Sequence, residues 1–145
     1  SSPSRGLGDV YKRQIYNDPA NVFVAQFIGT PKMNILEIGE KNIISENTLR
    51  LLGLEIKFNN FKFERTKHFV GIRPEHLKVN KKSDFTFNPE VELIENLGNE
   101  KIIYIKKDNN QLSVKISSNM EITNTFGFNL QDLLIFDKNK NRVSL

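Results

Sequence analysis

DPANVFVAQFIGTPKMN, residues 18–34, decides how the rest of the chain is read, because the period of the apolar residues changes there. Asp18 suits an N-cap, since its carboxylate can accept a bond from an orphan amide of the first helical turn. Pro19 fits the first helical position, where a fixed φ helps and a missing N–H costs nothing. Gly29 offers a left-handed stop, and Pro31 is a second barrier to continuation. Between these signals Ala20, Val22, Phe23, Val24, Ala25, Phe27 and Ile28 are apolar, and only Asn21 and Gln26 are polar. A helix so apolar nearly all round needs burial on more than one side, and one this short is marginal alone in water. The spacing predicts a helix that something must cover, with little else near this end of the sequence able to do so.

After Pro31 the period becomes two. Leu52, Leu54, Ile56 and Phe58 alternate with polar residues and predict a half-buried strand, a habit that Phe61 and Phe63 continue after Asn59-Asn60. His68 to Arg73 predicts another strand, stopped by Pro74, which cannot donate to a ladder. Val91 and Leu93 open the next, and Leu97-Gly98-Asn99 turns it. Ile102 to Lys106 returns, Asp108-Asn109-Asn110 makes a second tight turn, and Leu112, Val114 and Ile116 share one face. Phe126, Phe128 and Leu130 alternate again, and Leu133 to Phe136 closes the series. Many short strands with turn residues between them predict a mostly β domain, a small Greek-key barrel or sandwich, with no second helix of consequence.

The 145 residues suffice for one ordinary domain, or for a small domain plus a remnant of another. Eleven Phe and a 38% apolar fraction fit a globular fold, and no apolar run is long enough to span a membrane. The absence of cysteine excludes a disulfide framework and thiolate metal sites. The net charge is +4, of which residues 1–14 carry +2 through Arg5, Lys12 and Arg13 against Asp9. Scattered lysines account for the remainder as well as a basic binding face does. Residues 1–14, SSPSRGLGDVYKRQ, differ in composition from everything after them and resemble translated sequencing-adapter sequence. They are expected to be non-native, which makes the chain a truncated C-terminal piece.

Little here can carry chemistry. The two histidines, His68 and His76, read as partly exposed polar residues, and a metal site would need carboxylates from elsewhere in the fold. Glu90 and Glu92 read as the solvated side of a strand. No nucleophile with a base and an orienting group can be assembled, so neither catalytic nor metal residues are assigned. Arg73, at the end of an apolar strand, is the more informative charge because it cannot lose its proton. It is expected to pair with a carboxylate, Glu75 or Glu100. Phe61-Lys62-Phe63-Glu64-Arg65 with Phe69 comes nearest to a nucleic-acid face, but its phenylalanines fall where a core needs them, so no nucleic-acid partner is expected.

Four segments, IYNDPANVFVAQFIGTPKMN (15–34), VGIRPEHLKV (70–79), VELIENLGNE (91–100) and LIFDKNKNRV (134–143), together resemble the C-terminal part of ATP-binding cassette importer ATPases of the carbohydrate-uptake type. The maltose and glycerol-3-phosphate importer subunits are the best-known members. The resemblance covers residues 15–145 in order and spacing. The PKMN ending at Asn34 is similar to the sugar and glycerol-phosphate branch rather than to the polyamine or iron branches. The resemblance implies that 15–31 is the last helix of the nucleotide-binding domain and 32–145 a regulatory domain with an oligonucleotide-binding-type (TOBE) β-barrel.

In the family this domain packs on its copy in a second ATPase subunit, and in some members it receives inhibitory signals from a regulatory protein. The resemblance further implies permease subunits and a solute-binding protein as partners of the parent, on the cytoplasmic face of a bacterial membrane. The lysine loop, signature motif and catalytic glutamate that handle Mg-ATP in the family lie upstream. No cofactor is therefore assigned to this chain, which is expected to be inactive alone. Gly29, Pro31, Asn34, Arg73, Pro74, Glu75, Gly98 and Glu100 become structural or interface candidates. The segments around 80–88 and 117–129 depart from the family pattern. The alternative reading is a free-standing barrel that binds small oxyanions or single-stranded nucleic acid.

Overall fold

In the computed structural model, which describes residues 19–27, 29–79 and 82–143, Asn21 rather than Asp18 starts the helix. Helix α1 runs Val22–Phe27. The Asn21 Oδ1 accepts the Val24 N–H at 2.9 Å and its carbonyl accepts the Ala25 N–H at 3.0 Å. The reason for the late start is tertiary. Ala20 accepts the Arg142 N–H at 2.8 Å, Val22 donates to Lys140 at 3.0 Å, and Asn21 bridges Asn141, so these residues pair as a strand does. Asp18, Ile28 and residues 1–14 lie outside the described residues. Gly29 has φ +104°, the left-handed value expected of a helix stop.

Thirteen strands follow: β1 Asn34–Ile38, β2 Ile43–Ser45, β3 Thr48–Leu51, β4 Leu54–Lys57, β5 His68–Ile72, β6 Lys78–Val79, β7 Phe85–Phe87, β8 Glu90–Asn96, β9 Glu100–Lys107, β10 Asn110–Ser117, β11 Phe126–Phe128, β12 Leu134–Phe136 and β13 Arg142–Val143. They form four small antiparallel sheets in the orders β1-β5-β12-β13, β10-β9-β8, β6-β11-β7 and β2-β3-β4. Among the described residues the fold is mostly β with one short α-helix, as expected, and is consistent with a small barrel of the oligonucleotide-binding type. All four sheets feed one core, in which Leu49, Ile56, Ile72, Leu77, Ile103, Ile105, Phe126, Phe128 and Ile135 are buried.

Helix α1 is covered on one face by the sheet that follows it. Val22 and Ala25 (1% exposed) pack with Met33, Phe69 and Phe136 on the side of β1-β5-β12 away from the main core. The cover that the helix was expected to need is thus supplied on one face, largely by residues distant in sequence. Phe23, on another face, stays 74% exposed.

The Leu52–Phe58 alternation is not one strand. Leu52 (φ +54°) and Gly53 (φ +76°) form a two-residue turn joining β3 to β4, and Leu52 is buried within it. Both central residues at positive φ match the twist of a hairpin, and glycine supplies one of them without strain. Phe61 and Phe63 lie in a loop, where Phe63 meets both Phe58 and Phe61 edge to face. In β8 a bulge between Val91 and Leu93 sets Val91 opposite Ile105 and Leu93 opposite Tyr104, so the two apolar residues face opposite ways. The Asp108–Asn109 turn, both residues at positive φ, and the buried Leu112, Val114 and Ile116 face of β10 match expectation.

Candidate functional site

The segment that leaves helix α1 is fastened to β10 by a side-chain amide. Asn34 opens β1 and is buried; its Nδ2 donates to the Ser113 carbonyl at 2.9 Å, and its Oδ1 accepts the Ser113 N–H at 2.8 Å. The amide supplies one donor and one acceptor in the geometry of a neighbouring strand, so it satisfies both backbone groups of Ser113. Pro31 follows a cis peptide bond from Thr30, whose carbonyl accepts a bond from Lys115 Nζ at 3.3 Å. Lys115 also reaches Glu100 at 3.4 Å. One side chain therefore spans from the helix exit to the β8–β9 turn.

That turn depends on Gly98, at φ +85°, and closes with the Leu97 N–H donating to Glu100 O at 2.8 Å. Nothing lies within 4 Å of a Cβ built at Gly98, so conformation alone asks for glycine.

Arg73 follows the fully buried strand β5 and is itself only 5% exposed. Pro74 then opens a 3-10 turn, Pro74–His76, whose His76 N–H donates to the Arg73 carbonyl at 2.9 Å. The turn packs against β10. Glu75, His76, Asn99, Glu100, Lys115 and Ser117 line one open cleft. The structure therefore brings Glu75 and Glu100 together, while Asn34 and the Thr30 carbonyl meet the same strand, β10. Glu100, one carboxylate expected for Arg73, pairs with Lys115.

His68 corrects the reading of a partly exposed residue. It is buried, its Nδ1 lies 2.8 Å from the Thr66 carbonyl, and its ring meets Phe63 edge to face. His76 Nδ1 stands 3.8 Å from the Asp132 carboxylate, an ion pair when the imidazole is protonated. Among the described residues no group of three or more His, Asp or Glu comes together in a way that could hold a metal ion. No helix among them is long and apolar enough to cross a membrane. On the outer face of the sheet, Tyr104 donates its hydroxyl to the Glu95 carboxylate. That bond, with desolvation and the carboxylate charge, raises the phenol above its ordinary value of 10.0.

Gly71 was missed by sequence reasoning. A Cβ there would stand 2.6 Å from Met33 Sδ and 3.1 Å from Phe136, so glycine lets the residues under helix α1 close on β5. A glycine inside an apolar strand is itself the signal, since it marks a close approach. Asn34 was singled out, but its bonding partner lies too far along the sequence to be inferred.

No protein-family model matches the chain. It is similar to curated proteins: 35% identical over 98 residues to the alpha-glucoside transport ATP-binding protein AglK of Rhizobium meliloti, covering 64% of this chain and 27% of the relative. It is 40% identical over 96 residues to the sn-glycerol-3-phosphate import ATP-binding protein UgpC of Psychromonas ingrahamii (64% and 24%). It is 36% identical over 97 residues to the maltose/maltodextrin import ATP-binding protein MalK of Vibrio parahaemolyticus (63% and 26%). The chain thus spans about a quarter of the length of the curated relatives it matches. By these matches the chain is a homologue of the ABC importer ATPases, consistent with a C-terminal fragment of a sugar-importer ATPase.

Proposed function

We propose that this chain is the regulatory, subunit-holding part of the ATP-binding subunit of an importer for sugars or glycerol 3-phosphate. The observation that carries the reading is the match to about a quarter of three ATP-binding proteins, named for alpha-glucoside transport, sn-glycerol-3-phosphate import and maltose/maltodextrin import. In this reading Mg-ATP is handled by a domain upstream, and this part joins a second ATPase subunit. The whole protein works with permease subunits and a solute-binding protein at the cytoplasmic face of the membrane. The open cleft at Glu75 and Glu100 and the 97–100 turn offer a regulatory protein a place to act on the helix exit, through Lys115.

Helix α1 gives physical support. One face is packed on the sheet and Phe23 points outward, as suits the last helix of a preceding domain. Covering one such apolar side chain is worth on the order of 1.5–3 kcal/mol. The test joins an importer-type nucleotide-binding domain ahead of residue 19 and compares thermal unfolding and ATP turnover with those of the chain alone. A higher melting temperature, with turnover only in the joined protein, is expected. Equal stability and no turnover in the joined protein would overturn the reading. Saturable molybdate binding, or salt-dependent oligonucleotide binding, by the chain alone would favour a free-standing module.

A further inference from the structure

The sheet β10-β9-β8 ends at β8, and no described strand pairs with its outer side. Leu93, Ile94 and Leu97 stand there 56%, 42% and 58% exposed, three of the five large apolar residues that are exposed among the described residues. An edge strand presents a row of open N–H and C=O groups, and proteins usually blunt such a row with lysine, proline or a bulge. Here the bulge falls early, between Val91 and Leu93, and leaves Leu93–Asn96 in regular register with β9. No lysine or proline follows until Lys101.

The charges say what fits. Glu90, Glu92, Glu95 and Glu100 are the only charged residues from 90 to 100, whereas β9 carries Lys101, Lys106 and Lys107. On its closed side β8 is thus an acidic strand fitted to a basic one, with Glu90 directly opposite Lys106. The partners of the next two carboxylates are neutral: Gln111 Nε2 donates to Glu92 at 3.4 Å, and Tyr104 donates to Glu95. Neither bond brings a cation to these carboxylates. Two copies of β8 laid edge to edge would bring both sets of carboxylates within about 5 Å, the spacing of paired strands, which opposes self-pairing.

We infer that the open edge of β8, at Leu93–Leu97, docks an extended segment of another polypeptide that carries lysine or arginine at alternate positions with apolar residues between. Main-chain bonds would supply the pairing, and the alternating side chains the choice of partner. The inference rests on the strand's own geometry and stands apart from the importer reading.

The test titrates the isotope-labelled chain with acetyl-Thr-Lys-Val-Lys-Val-Lys-Thr-amide and with the same peptide carrying glutamate in place of lysine, following backbone amide shifts. The lysine peptide should give saturable shifts centred on Leu93–Leu97. The glutamate peptide, and the Glu90→Lys/Glu92→Lys variant titrated with the lysine peptide, should bind about tenfold more weakly. Should that variant disturb the sheet, Leu97→Lys in the turn serves in its place. Equal response to both peptides overturns the inference, as do shifts centred elsewhere. Broadening of the Leu93–Leu97 amides with protein concentration alone also overturns it and assigns the edge to a second copy.

Discussion

The two edges of the β10-β9-β8 sheet are finished in opposite ways. At β10 the row of backbone groups is met from inside the chain, by the Asn34 amide on Ser113 and by the Pro74–His76 turn packed alongside. At β8 the row is left open, with Leu93, Ile94 and Leu97 turned toward solvent. The closed edge is where the helix exit is fixed to the barrel, so it serves architecture. The open edge contributes little to folding and is available for contact with something else. A sheet of three strands can thus separate the two duties by edge.

The largest effect expected from this contrast is at Asn34. Asn34→Ala leaves both backbone groups of the half-buried Ser113 without their partner, at about 1–3 kcal/mol for the pair, since water can meet part of the loss. Denaturant unfolding measures it, and a loss below about 0.5 kcal/mol would mean that water or a neighbour finishes the β10 edge equally well. A smaller effect is expected at the open edge. Leu93→Ser with Leu97→Ser should change stability by no more than about 1 kcal/mol in total, as for exposed positions. A loss matching that of Asn34→Ala would break the comparison, because it would show the β8 edge already covered in solution.

The smallest effect belongs to Tyr104. Its phenol is raised in the folded chain by its bond to Glu95, so the stabilisation is fully present below pH 10 and is lost as pH rises through the folded value. Absorbance titration of the phenolate should place Tyr104 above a free tyrosine, and Glu95→Gln should bring it back. An unmoved midpoint in that variant would remove Glu95 as the cause.

Where local signals acted alone, the fold was legible in the residues. Asp108 and Asn109 tolerate positive φ and turned the chain where expected, Pro74 ended β5, and the Leu112, Val114 and Ile116 alternation placed β10 on the core. What stayed hidden depended on distant partners. The helix start was set at Asn21 by its pairing with residues 140–142. The alternation through Leu52 ran across a turn, because a leucine at positive φ is made tolerable only by the core that buries it. The same applies to the candidate site. Asn34 and Gly98 were marked beforehand, but the bond from Asn34 to Ser113 joins residues 79 positions apart. Gly71 went unmarked because its need is set by Met33 and Phe136, both distant in sequence.

The bridge between Asn21 and Asn141, with its flanking bonds from Val22 to Lys140 and from Arg142 to Ala20, has a consequence for the order of assembly. It joins nearly the first described residues to nearly the last. During synthesis helix α1 leaves the ribosome ahead of the barrel and must wait for almost all of it before its docking site is complete. Contacts of such long sequence separation are paid for in loop closure before they return anything, and they form late. Until the final hairpin arrives, Val22 and Ala25 have only part of their cover, and the seam between helix and barrel is the last to close.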